Sequence, residues 1–183
     1  MTGSIRITCI LLQLCIFALS FTGCRKNITA SNNQSLLFEY DFVSYSLDYK
    51  HSGFLIDGEG NVYTFNNPEK WNFPGRDLRI SESQVAENMS MCARSGIKIP
   101  PAELQKYSSH IVNIAASKIT ALKKSADSAG SGEFRCYSYS ESSGIYKGTV
   151  IKMEGDFTCE NLNFYSRKVV DWMRNINSRL AEK

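Results

Sequence analysis

The sequence predicts an α+β domain: an antiparallel sheet built from hairpins, with about three helices packed on one of its faces. Three observations lead there. Short apolar runs meet at two turn signals, Gly58-Glu59-Gly60 and Glu141-Ser142-Ser143-Gly144. Apolar stripes at helical spacing fill the stretch between the hairpins and the end of the chain. The 183 residues are 43% hydrophobic and 21% charged, an ordinary balance for one folded domain. That excludes wholesale disorder, a collagen-like rod and a multi-span membrane protein. A formal charge of +3 is too small to advertise nucleic acid, so none is expected as a partner.

The elements follow in order. Residues 36–47 alternate aromatic and polar side chains, with Phe38, Tyr40 and Phe42 on one face. The phase then moves to Val43, Tyr45 and Leu47, which predicts a bulge or a strand buried on both sides. Residues 53–57 and 61–65 form the first hairpin. Asp57, Glu59 and Asn61 have the spacing that opens a calcium loop, but Val62 stands where that loop needs Gly, so the segment reads as a turn. Asn67-Pro68 and Pro74-Gly75 bracket a loop holding Trp71 and Phe73. Ser81-Glu82-Ser83-Gln84 is a capping box that opens a helix with Val85, Met89 and Cys92 on one side, stopping near Gly96. Pro100-Pro101 starts a longer helix whose stripe runs through Leu104, Tyr107, Ile111, Ile114, Ile119 and Leu122. After a small-residue loop, residues 134–140 and 145–154 form the second hairpin. A final helix begins near Asn161 or Asn163, with Leu162, Tyr165, Val169, Trp172, Met173, Ile176 and Leu180 as its stripe.

The first residues carry the strongest signal of location. Arg6 precedes an apolar run over residues 7–21, too short to span a hydrocarbon core and matching the h-region of a secretory signal. It closes on Phe21-Thr22-Gly23-Cys24. These four residues are similar to the lipobox of bacterial lipoproteins, with Gly23 and Cys24 at the defining positions and Phe21 where Leu is usual. The resemblance implies a signal peptide over 1–23 and a Cys24 that carries the lipid (palmitate among its acyl chains). Residues 25–34, with one apolar side chain among them, read as a flexible tether that extends to residue 35, and 36–183 read as a single domain. The protein is then held to a bacterial membrane in the cell envelope, facing the periplasm or the surface. The C-terminal pattern, with Gly155-Asp156 before an Asn-led helix, resembles small uncharacterised secreted bacterial proteins and implies no activity.

Within the domain, Cys92, Cys136 and Cys159 remain. Cys136 and Cys159 flank the second hairpin and are the pair to consider for a disulfide, while three free thiols packed as small hydrophobes are favoured over any one bridge.

No nucleophile elbow, phosphate loop, zincin helix or C-x-x-C motif occurs, and no cofactor is expected. His51 reads as a loop residue and His110 as a solvated residue on the polar side of the long helix. Glu39, Asp41, Asp57, Glu59, Glu154 and Asp156 supply carboxylates from which a hydrolytic pair could be drawn. Residues 94–124 carry six cations against Glu103 alone, a basic face suited to lipid head groups or an acidic partner. Arg135, Tyr137 and Tyr139 share one strand face, with Tyr146 on the paired strand. Together with Trp71 and Phe73 they form the candidate binding patch. These features predict a lipid-anchored, non-catalytic module that binds an envelope protein or glycan. The alternatives are a periplasmic inhibitor or immunity-type lipoprotein, and a secreted hydrolase with an unrecognised carboxylate pair.

Overall fold

A computed structural model describes residues 34–46, 48–127 and 129–182. The leader, Cys24 and most of the tether lie outside the described residues. Within them, nine strands form one antiparallel sheet: β1 (Phe38–Ser44), β2 (Lys50–Ile56), β3 (Asn61–Asn66), β4 (Arg79–Ser81), β5 (Ala93–Lys98), β6 (Lys123–Lys124), β7 (Ser131–Ser140), β8 (Ile145–Gly155) and β9 (Phe157–Glu160). The helices are α1 (Glu82–Ser90), α2 (Pro101–Ser108), α3 (Ile111–Ala115) and α4 (Ser166–Ala181). Across the sheet the order is β5-β3-β2-β1-β7-β8-β9-β6, with β4 paired to the start of β8. The predicted α+β class is the observed one.

Both hairpins form where the turn residues place them. Asp57 accepts the backbone N–H groups of Glu59 and Asn61, which is turn chemistry. The second hairpin pairs β7 with β8 over its whole length, with one residue bulged out of β8 opposite Phe134–Arg135. The capping box at Ser81 and Gln84 forms in both directions and starts α1.

The sheet is buried on both faces. Phe38, Phe54, Ile56, Phe134 and Ile151 pack against α2, α3 and α4 through Leu104, Ile111, Ile114, Val169, Trp172 and Met173. Phe38 and the Trp172 ring meet edge-to-face at 5.1 Å, and Tyr107 stacks on Trp172 at 4.3 Å. The opposite face carries Leu55, Phe65, Tyr137 and Tyr146, covered by Val85 of α1 and by Trp71 of the aromatic loop. One-sided packing was expected and is corrected here: α1 lies on the face opposite the other helices, because alternate residues of the central strands are buried on each side.

Two helices are shorter than their stripes predict. α1 ends by Met91, and residues 93–98 continue as β5. The long helix from Pro101 breaks at Ser109–His110 and stops at Ala115. Asn161 and Asn163 take the freed carbonyls of Ile114 and Asn113 through their Nδ2 groups, at 3.0 and 3.1 Å. Those side-chain donors replace the next helical turn. Residues 119–124 then run extended beside β9, so Ile119 and Leu122 are exposed rather than core. Leu162 likewise precedes α4 and is exposed.

Cys92, Cys136 and Cys159 are free thiols. β8 separates Cys136 from Cys159, since Cys159 pairs with Met153, which pairs with Glu133. Two strand spacings of about 4.8 Å already exceed the roughly 7 Å reach of a disulfide's Cα atoms.

Candidate functional site: a buried ionic network under an aromatic loop

The polar alternates of β1 and β7 meet on the face covered by the aromatic loop. Glu39 and Asp41 stand two residues apart on β1; Glu133, Arg135 and Tyr137 follow the same period on β7. The β1–β7 register places Glu39 opposite Arg135 and Asp41 opposite Glu133. Arg135 donates through Nη1 to Glu39 Oε2 at 3.1 Å, through Nη2 to Asp41 Oδ2 at 3.4 Å, and through Nε to Glu133. The Tyr137 hydroxyl donates to the same Glu39 oxygen. One guanidinium therefore serves three carboxylates, a use of its fixed fork that an ammonium cannot reproduce.

His51 joins from β2, with Nε2 2.8 Å from Asp41 Oδ1. The carboxylate can only accept, so Nε2 carries the proton and Nδ1 is the other nitrogen. Nδ1 is buried without a hydrogen-bond partner, as is Trp71 Nε1. Rings surround the imidazole: Phe65 at 5.0 Å, Trp71 at 5.2 Å and Phe73 at 5.1 Å between centroids. His51 is thus a fully buried strand residue, not the loop residue the sequence predicts.

Burial sets the electrostatics. It raises the Glu39 carboxyl, with Arg135 only partly opposing it. It raises the Tyr137 hydroxyl still further, helped by the Glu39 charge, so Tyr137 stays a neutral donor. Burial works to lower Arg135, but Glu39, Tyr137 and Glu133 outweigh it, and the guanidinium stays firmly charged.

The loop above is pinned at several points. Asn67 and Leu78, its flanks, both have positive φ, at 46° and 59°. Asn67 exchanges bonds with the His51 backbone at 2.6 and 2.7 Å, and the Leu78 carbonyl accepts Gly148 N–H at 2.7 Å. In the middle, Asn72 N–H donates to Asn88 Oδ1 and Asn88 Nδ2 donates to the Asn72 carbonyl, each at 2.9 Å. Beneath lies a cavity of about 10 Å³ lined by Glu39, Tyr137, Asn72, Asn88 and Leu55 among others, close to the space of one water.

The predicted binding patch is only partly a surface. Arg135, Tyr137 and Tyr146 are buried, which corrects their placement on an exposed platform. Tyr139 is half-buried and donates to Glu82 at 2.7 Å, which pushes its hydroxyl up to about 12. Trp71 is half-buried against Phe65 at 4.2 Å, and Phe73 is exposed. Two further rings extend the patch. Tyr45, which the sequence places in a strand, lies just past the end of β1, tilted against Tyr49 at 5.4 Å, and Tyr49 lies 6.2 Å from His51.

Other candidate acids have structural partners. Glu154 pairs with Arg174, and Asp156 accepts the backbone N–H groups of Ala129 and Gly130. Among the described residues, no group of three His, Cys, Asp or Glu side chains is placed to hold a metal ion. His110 sits at the α2–α3 junction, stacked on Tyr165 at 3.8 Å. No family model, curated protein or solved structure matches this chain.

Proposed function

We propose that the protein is a non-catalytic binding module of the cell envelope, held to the membrane through lipidated Cys24, that recognises an envelope protein or glycan with the aromatic surface around Phe73. The observation that carries this reading is the chain of rings running from buried to exposed. His51 anchors it, and Phe73, Tyr49 and Tyr45 present 45%, 46% and 78% of their surfaces to water. Rigid rings on a fixed base bind at little entropic cost. The groups able to do acid–base chemistry, Glu39, Asp41, His51 and Tyr137, are sealed beneath them and already bonded to one another. Their role in this reading is to lock β1, β2 and β7 together under the binding surface.

In-cell crosslinking of the tagged protein with mass spectrometry tests the reading. A partner captured by the parent, weakened by Phe73→Ala with Tyr49→Ala, and lost with Cys24→Ala supports it. A partner retained equally by the ring variants overturns the assigned surface. Turnover of an envelope glycan or peptide, abolished in Asp41→Asn, overturns the non-catalytic reading.

A further inference from the structure

The edge of the molecule farthest from β5 is both apolar and basic. Segments 110–124 and 157–168 are stitched together there: Leu162 N–H donates to the Lys118 carbonyl and Thr120 N–H to the Glu160 carbonyl, both at 2.9 Å. Asn163 Nδ2 reaches Ser117 Oγ at 3.0 Å. From this edge Phe164, Leu162 and Leu122 project with 76%, 65% and 59% of their surfaces in water, and Ile119 and Val112 are exposed beside them. Bulky apolar side chains gathered this way mark an interaction surface.

Cations are interleaved with them. Lys118, Lys123, Lys124, Arg167 and Lys168 are all exposed, and the Lys168 ammonium lies 5.1 Å from the centre of the Phe164 ring. The acids at or beside this edge each have a partner: Asp127 pairs with Lys124 at 2.6 Å, Glu160 lies 3.6 Å from Lys152, Asp171 lies 3.3 Å from Arg174, and Asp156 accepts the Ala129 and Gly130 N–H groups. Burial holds His110 below its ordinary pKa, with the nearby Lys168 and Lys106 charges adding to it.

The apolar side chains project from loops and an edge ribbon, with lysines between them. A fluid interface suits that shape: apolar tips enter the acyl boundary while lysine stems lie flat and their ammonium groups meet phosphate. We propose that this edge docks on an anionic lipid surface, with Phe164, Leu162 and Leu122 entering the head-group layer and Lys118, Lys123 and Lys168 binding lipid phosphates. The proposal leans on the Cys24 anchor only for proximity: Cys24 stands ten residues before Gln34 in the sequence, so a lipid there would hold the domain close to a membrane surface.

Both cores are drawn from residues 36–180, all downstream of Cys24, and the chain from Cys24 onward is the one tested. That chain with Cys24→Ser, unable to carry lipid, is floated with vesicles of phosphatidylglycerol and phosphatidylcholine, or of phosphatidylcholine alone. The expected result is binding to the anionic vesicles that falls about tenfold on neutral ones and is screened by about 0.5 M salt. Leu122→Ser with Phe164→Ser, and separately Lys118→Glu with Lys168→Glu, each weaken binding about tenfold with unchanged circular dichroism. Equal binding to neutral vesicles, no vesicle binding, or indifference to both variant pairs overturns the proposal. So does capture by soluble polyglutamate in preference to vesicles, which reassigns the edge to an acidic protein. Palmitate labelling of the full chain reads the Cys24 anchor separately, so failure of one leaves the other standing.

Discussion

Asp41 and His51 sit diagonally across the β1–β2 ladder, with His51 Nε2 2.8 Å from Asp41 Oδ1 and both side chains out of water. The contact depends on Gly53, the residue opposite Asp41 on one side and Phe65 on the other. With no side chain at 53, the Phe65 ring can lie over β2 and close on His51. A Cβ there would overlap the Tyr40 carbonyl oxygen and stand 2.7 Å from the Phe65 ring. Gly53→Ala is therefore expected to destabilise by about 1–3 kcal/mol or more, through forced shifts in a packed layer. Urea unfolding checks it, and an unchanged midpoint would show that β2 yields freely.

Among the described residues, Arg135 is the sole arginine or lysine bonded to Glu39, Asp41 and Glu133. Arg135→Met leaves those carboxylates in a dry layer, and a loss of about 3–5 kcal/mol is expected. Arg135→Lys restores charge without the fork and should recover only part of it. Denaturant curves of the two variants decide whether geometry or charge matters more.

The raised Glu39 carboxyl makes a pH prediction with a definite sign. Its ordinary value is 4.5, and burial lifts it in the folded chain. A proton is then held more tightly when folded, so this group's contribution is full below its unfolded pKa and is lost as pH rises through the folded one. Glu39→Gln should flatten the fall in urea midpoint as pH rises above about 4.5. An identical slope in parent and variant would mean Glu39 ionises as it does in the unfolded chain.

Asn88 and Asn72 form a reciprocal bond pair that holds the aromatic loop to α1. Asn88→Ala removes the buried partner of the Asn72 backbone groups and is expected to cost about 1–3 kcal/mol. Hydrogen exchange at the Asn72 amide should accelerate well before the β7–β8 ladder does. Simultaneous acceleration of both would show that loop and sheet open as one unit.

Burial pushes the Cys92 and Cys136 thiols up to about 12 and raises Cys159 as well. Since the thiolate is the reactive form, all three should resist iodoacetamide at neutral pH and react only on unfolding. Peptide mapping after alkylation with and without denaturant gives the answer. A Cys136–Cys159 bridge in the map would contradict the strand order.

The hairpins, the capping box and the α4 stripe were legible because each depends on residues close in sequence: a turn's glycines, Ser81 with Gln84, Val169 with Trp172, Met173 and Ile176. The long-helix reading failed because its stripe continues to Leu122 while Asn161 and Asn163, some 50 residues away, cap the chain near Ala115. The ionic network had a faint trace in the sequence, charged residues at a period of two, like-signed in Glu39–Asp41 and opposite in Glu133–Arg135. That pattern is also what a solvated strand face shows, and only the cover supplied by Trp71, Phe73 and α1 makes it interior. By itself the sequence determined the α+β class, the turns and the first cap, since local backbone preference and hydrophobic period act within a few residues. The tertiary structure decided which polar face is dry, and with it that Arg135 and Tyr137 are internal struts while Tyr45, Tyr49 and Phe73 face outward, because burial is a property of what lies across the sheet.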